Sequence, residues 1–294
     1  MNFLYIFFTF ILTEGTFLNK FLSFIKVEHT LFTLPLIYSG VILGSDQVPD
    51  LKLLVLVLLA ATGARTAAFA LNRIIDRKID ALNPRTIKRE LPSKKMSLIE
   101  AYGVLLVGLL LYFISAWLIS TFCLIISPIP LIIFVVYPYM KRFTVRAHFG
   151  VGLGMAMAPL GGWFAASPSF YNVLPAVLLS LFTMFWGTGF DIIYATLDEE
   201  FDKKENLYSF ISRFGKKNGL RYAALFHLLG FACLVFLFFN SIQTIYAFPF
   251  LILTGILLWM EHLKSANVDL AFFKINAGLG FVVFAMIITG AILK

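Results

Sequence analysis

Charged residues are scarce in this chain: 14% of its 294 residues are Asp, Glu, Lys or Arg, against roughly a quarter in soluble domains. Polar stretches long enough to form a second, soluble domain are absent, and apolar residues make up 60%. That balance excludes a water-soluble globule. Ten-residue segments of alternating polarity, the mark of a membrane β-barrel, are missing too. Cysteine is reduced to Cys123 and Cys233, both inside apolar runs. This rules out a disulfide framework and a Cys/His zinc pattern and leaves two small hydrophobes. No strand or βαβ pattern surrounds Gly150, Gly152 and Gly154, so they are read as close-packing helix positions and not a nucleotide fingerprint.

What is present is a series of apolar runs about 20 residues long, each sufficient to cross ~30 Å as a helix. Nine spans are expected, near 25–44, 51–73, 98–118, 121–140, 148–166, 173–195, 220–239, 242–261 and 271–293. The fold class is all-α, a polytopic membrane protein with about nine transmembrane helices in one bundle. Residues 25–294 form the membrane domain. Residues 1–24 are read as an interfacial segment, because the apolar start lacks the basic region of a signal peptide. If the N-terminus is cytoplasmic, only Lys52 and Lys294 of the 24 Lys and Arg residues fall on the outer side. This asymmetry orients the bundle with its long loops in the cytoplasm, in the inner membrane of the cell. It also accounts for the net charge of +8 without nucleic acid as a partner.

The chain has 16 acidic residues, and seven of them fall in two short segments, Asn72-Arg-Ile-Ile-Asp76-Arg-Lys-Ile-Asp80 and Asp191-Ile-Ile-Tyr-Ala-Thr-Leu-Asp198-Glu-Glu-Phe-Asp202. At ~100° per residue, Asn72, Asp76 and Asp80 share one helix face, as do Asp191, Asp198 and Asp202. Carboxylates in such rows repel unless a cation lies between them. Hard oxygen ligands suit Mg²⁺, which binds through a few carboxylates and phosphate oxygens. Two such faces at a membrane boundary point to a metal–diphosphate site beside lipid. Arg65 lies two turns deeper on the Asn72 face, where a charge is costly and marks function by default. Arg73, Arg77, Arg85, Lys88, Arg89, Lys141, Arg142, Lys203, Lys204 and Arg213 are the cations available to hold phosphate. Lys26 and His29 enter the first span beside Glu28 and are candidate acceptor-pocket residues. Tyr194 and Trp186 are aromatics positioned to shield a cation. A transporter for an organic anion or Mg²⁺ is the rival class, but the outer halves of the spans carry almost no polar path.

With these residues in view, the chain resembles the UbiA superfamily of intramembrane prenyltransferases from about Lys26 onward. Asn72-x3-Asp76-x3-Asp80 and Asp191-x6-Asp198-x3-Asp202 match its two aspartate-rich motifs. Asn83-Pro-Arg-Thr, Arg89-Glu-Leu-Pro and Tyr137-Pro-Tyr-Met-Lys-Arg-Phe-Thr144 match its loops. The stretch from Glu28 to Pro35 is similar to the 4-hydroxybenzoate branch and its naphthoate-using relatives. The chain departs from the family pattern at Lys94, where glycine is frequent, and at Ser209-Phe-Ile211, which lacks a common proline. The resemblance implies Mg²⁺ held by Asn72, Asp76, Asp80, Asp198 and Asp202. It implies a polyprenyl diphosphate gripped by Arg73, Arg77, Lys141, Arg142 and Lys203, with the prenyl tail in the bilayer. It further implies a small aromatic acid as acceptor, contacted by Lys26 or His29, with Asp191, Arg65 and Tyr194 as catalytic residues. The acceptor is expected to be of the 4-hydroxybenzoate type, prenylated ortho to the phenol in respiratory quinone synthesis. The alternative is 1,4-dihydroxy-6-naphthoate in menaquinone synthesis.

Overall fold

The computed structural model describes residues 17–25, 30–268 and 274–293, with backbone only at 17–19, 22 and 30–32. Helices are α1 (Phe17–Ile25), α2 (Thr30–Gly44), α3 (Leu51–Asp80), α4 (Leu98–Ile119), α5 (Thr121–Ile126), α6 (Pro128–Met140), α7 (Ala147–Ala166), α8 (Leu174–Tyr194), α9 (Glu199–Lys204), α10 (Phe210–Leu237), α11 (Phe248–Leu263) and α12 (Asn276–Ile292). There is no strand among the described residues. Seven helical segments are long and apolar enough to cross a membrane. Two shorter apolar helices, Thr33–Gly44 and Asn276–Ile292, stand where the first and ninth spans are expected. The chain is a multi-pass membrane protein. Large apolar side chains such as Leu106, Leu110, Ile114, Phe236 and Trp259 face outward, more apolar surface than a protein in water tolerates.

Helix α3 has 30 residues, so at 1.5 Å per residue it spans ~45 Å and overshoots the hydrocarbon layer. Its start is capped by Asp50, whose carboxylate accepts from the Leu53 N–H at 2.6 Å. Its last two turns carry the first acidic motif past the end expected at residue 73. The main core joins α2, α8, α10, α11 and α12 through Leu36, Phe182, Trp186, Leu234, Leu279 and Met286. Within it, the Trp186 Nε1–H donates to Asn276 Oδ1 at 2.8 Å, and Asn276 Nδ2 donates to the fully buried Glu261 at 3.1 Å. This polar pin joins α8 to the last two helices.

Glycines let the helices touch backbone to backbone. A Cβ on Gly40 would meet the Pro159 carbonyl, and one on Gly162 the Ile37 carbonyl, so α2 and α7 pack in direct contact. A Cβ on Gly152 would strike the Met184 carbonyl and Thr188 Oγ1 on α8, which fixes these glycines as packing positions. Gly152→Val therefore forces α7 away from α8 and is expected to cost about 2–3 kcal/mol. A matching drop in the thermal midpoint of the detergent-solubilised protein checks it.

The loop between α3 and α4 is shaped by its own residues. The Asn83 side chain accepts the Arg85 N–H at 2.8 Å, and Thr86 Oγ1 donates to the Asp80 carbonyl at 3.0 Å. Lys94 sits at φ 59°, the left-handed region that glycine occupies without strain, which is why glycine is expected there. The loop rests on α1: Ser23 donates to Glu90 at 2.6 Å, and Phe24 and Ile25 pack on Ala70, Ile74 and Met96.

Candidate active site

A cavity of about 210 Å³ opens at the end of the bundle where α3, α6, α7 and α8 terminate or begin. The first motif reaches it along one face of α3. Asn72, Asp76 and Asp80 all line it, and Asn72 Nδ2 donates to Asp76 at 3.2 Å. The second motif arrives differently from the sequence expectation. Helix α8 stops at Tyr194, and a 3₁₀ turn, Ala195–Asp198, winds the chain more tightly before α9. Asp191, Asp198 and Asp202 are therefore not one face of one continuous helix, yet all three line the cavity opposite α3.

Four of the five carboxylates, Asp76, Asp80, Asp191 and Asp198, are each held by a cation or a ring. Lys141 donates to Asp76 Oδ2 at 2.6 Å, and Arg142 reaches Asp76 Oδ1 at 3.2 Å. Arg89 donates to both oxygens of Asp80 at 2.9 Å. Arg85 clamps Asp198 through Nε at 2.9 Å and Nη2 at 2.5 Å, while its Nη1 donates to the Tyr194 hydroxyl at 2.6 Å. Desolvation opposes the Arg85 charge, but its bonds to Asp198 and the adjacent Tyr194 outweigh this and hold its pKa above the ordinary value. Asn83 donates to Asp198 at 2.8 Å. His148 Nδ1 lies 2.6 Å from Asp191 Oδ2, and its Nε2 accepts the Phe210 N–H at 3.3 Å. An Nε2 that accepts carries no proton, so the network assigns the proton to Nδ1, and the ring donates to Asp191.

Several expected site residues lie elsewhere. Arg73 is buried against Glu90 at 3.9 Å, behind the cavity. Arg77 donates to the Ile74 carbonyl at 2.8 Å and is not in the cavity lining. Lys203 pairs with Glu199 on the exposed side of α9. Arg65 stacks over Phe69 at 4.8 Å, outside the cavity lining. Arg142 supports Asp76 from behind, donating also to the Pro138 and Ile75 carbonyls. Lys26 and His29 fall outside the described residues. The cations that do line the cavity are Arg85, Arg89 and Lys141. Sequence reasoning missed His148, since a lone His at a helix start gives no signal of a partner 43 residues away. The loop cations Arg85 and Arg89 were visible as charges but not as clamps.

The donor set suits Mg²⁺. Asp76, Asp80, Asp191, Asp198 and Asp202 offer hard oxygens, while Arg85, Arg89 and Lys141 offer phosphate contacts. Among the described residues, no three His, Cys, Asp or Glu side chains gather tightly enough to enclose an ion by themselves. Mg²⁺ seldom uses such an all-protein cage, and it takes one or two carboxylates plus substrate phosphate oxygens and water.

Fold and site together define an intramembrane bundle with two acidic chain segments facing across a basic-rimmed cavity. The chain belongs to the UbiA prenyltransferase family, whose model matches residues 33–290. A relative from Tolumonas auensis described as 4-hydroxybenzoate octaprenyltransferase is 28% identical over 253 residues, 83% of this chain and 85% of its own length. Other relatives described in the same words align over 60% of their length. A UbiA homolog from Aeropyrum pernix K1, solved without ligand, superposes with a TM-score of 0.80 at 32% identity, covering 90% of this chain and 98% of that one. A UbiA homolog from Archaeoglobus fulgidus, solved with DMAPP and Mg²⁺, has a TM-score of 0.69 at 20% identity, covering 90% and 99%, and shares the fold.

Proposed function

We propose that this protein transfers a polyprenyl group from its diphosphate to a small aromatic acid of the 4-hydroxybenzoate type. The observation that carries the reading is the opposition of two acidic motifs across one cavity whose remaining charged lining is Arg85, Arg89 and Lys141. That composition matches a diphosphate and its counter-ions. Asn72, Asp76 and Asp80 on one side, and Asp198 and Asp202 on the other, would hold Mg²⁺, which when bound stabilises the negative charge of the departing diphosphate.

The chain's own residues do the rest. Arg85, Arg89 and Lys141 exchange carboxylate partners for phosphate oxygens and add positive charge where the leaving group develops its own. As the prenyl C–O bond breaks, an allylic cation forms, and the Tyr137 and Tyr194 rings in the lining face it as π surfaces. The ring carbon ortho to the phenol attacks, and the proton lost from that carbon restores aromaticity. Asp191, oriented by the His148 N–H, takes the phenol proton as the ring attacks and returns it to that oxygen when the ring carbon gives up its own proton to the released diphosphate. The enclosing helix ends restrict water, which would quench the cation. The active end of the bundle faces the cytoplasm of the inner membrane in this reading, supported by the concentration of Lys and Arg in its loops.

The test is product formation. The purified protein in nanodiscs receives Mg²⁺, octaprenyl diphosphate and either 4-hydroxybenzoate or 1,4-dihydroxy-6-naphthoate, with products resolved by mass spectrometry. A prenylated hydroxybenzoate is expected. Prenylation of the naphthoate alone would move the protein to menaquinone synthesis, and absence of both products would sink the reading.

A further inference from the structure

A second groove lies on the same end of the bundle and shares no lining residue with the cavity. Four elements converge on it: Lys20 from α1, Arg77 and Lys78 from the end of α3, Lys94 and Lys95 from the following loop, and Glu100 from the start of α4. Five cations thus face one carboxylate. Glu100 is already engaged as a cap, accepting the Ser97 N–H at 2.6 Å. Among the described residues, Lys20, Lys78, Lys94 and Lys95 make no ion pair. The floor is apolar, with Leu91, Met96 and Leu98.

Two further observations specify what would fill it. Lys94 holds φ 59°, a conformation that glycine would adopt freely, and its side chain lines the groove. The fold thus keeps a strained backbone position for a cation. Below the groove, along one face of α4, Ile99, Tyr102 and Leu106 stand 84%, 54% and 58% exposed at helical spacing. Leu98 begins the apolar span of α4, so the groove sits at headgroup depth, with the apolar track running from it toward the bilayer centre.

We infer that this groove binds the phosphate headgroup of an anionic phospholipid of the adjacent leaflet, its acyl chain lying along Ile99, Tyr102 and Leu106. A free phosphate would match the cations but leave the apolar track unused. Basic clusters beside a membrane span attract anionic lipid, each cation contributing about fivefold in affinity.

The full-length protein, delipidated in detergent, is titrated with phosphatidylglycerol or phosphatidylcholine and read by native mass spectrometry. Phosphatidylglycerol is expected to bind in preference, and Lys94→Gly and Lys95→Ser to weaken it about fivefold each. Lys217→Ser, which removes an equal charge from the exposed face of α10, is expected to leave it unchanged. Lys94→Gly also relieves the left-handed strain, so its thermal midpoint is expected to rise by about 2 °C while lipid binding falls. That opposition separates lost binding from lost folding. Equal retention of both lipids, or equal loss with Lys217→Ser, would overturn the inference. Displacement of phosphatidylglycerol by millimolar inorganic phosphate as readily as by added lipid would assign the groove to a soluble anion and overturn it as well.

Discussion

Asp76→Asn is expected to lower prenyl transfer by about 10³-fold while leaving the bundle folded. The carboxylate is 3% exposed and is the shared partner of Asn72, Lys141 and Arg142. Losing its charge removes a hard oxygen ligand from one side of the proposed diphosphate site. Single losses of groups that stabilise a developing anion cost about 10²–10³-fold, and a lost metal ligand belongs at the upper end. The structural penalty is smaller. Lys141 and Arg142 are roughly a third exposed at their side chains and can turn toward water when Asp76 is neutral. About 1–2 kcal/mol of stability should be lost, below the 3–5 kcal/mol of a fully buried broken pair. Steady-state kinetics and a thermal melt of the same preparation separate the two effects. A variant that keeps near-normal kcat/KM would remove Asp76 from the site.

Asp191→Asn is expected to be nearly as damaging, with a different signature. The asparagine preserves shape and can still accept from His148, but it cannot take a proton. General-base contributions are worth about 10²–10⁴-fold. Because the role is proton removal, activity should recover as pH rises and the acceptor phenol ionises in solution. Loss of a diphosphate or metal contact, as in Asp76→Asn, gives no such recovery. His148 is a positioning residue in this scheme. His148→Ala should cost about 10–100-fold, as for other groups that orient a reacting side chain, and should share the pH-dependent recovery. A pH-independent loss in both variants would show that they hold the acceptor or the fold, and not the proton.

The bundle was legible because length and hydropathy decide it: a 20-residue apolar run has few alternatives in lipid. The acidic residues were legible too, since Asn72, Asp76 and Asp80 keep helical spacing on a helix that continues unbroken. The second motif misled in detail, because nothing in Ala195-Thr-Leu-Asp198 announces a 3₁₀ turn. The turn arises where the α8 terminus meets tertiary packing, and only the cavity shows that Asp191, Asp198 and Asp202 still converge. Basic residues were least legible. Arg73, Arg77 and Lys203 sit beside the motifs in sequence but point away, because neighbours on a helix face in different directions. Arg85 and Arg89, farther along the chain, are folded back by the Asn83 turn. The Asp191–His148 pair joins two helices and has no local signature.

The cavity between the two motifs is proposed to bind a prenyl diphosphate together with Mg²⁺. Calorimetric titration of the nanodisc-embedded protein with an unreactive prenyl thiodiphosphate, with and without Mg²⁺, tests it directly. Saturable binding that requires Mg²⁺, and that falls at least 10-fold in both Asp76→Asn and Asp198→Asn, is the expected result. Binding that ignores Mg²⁺ and survives both substitutions would contradict it.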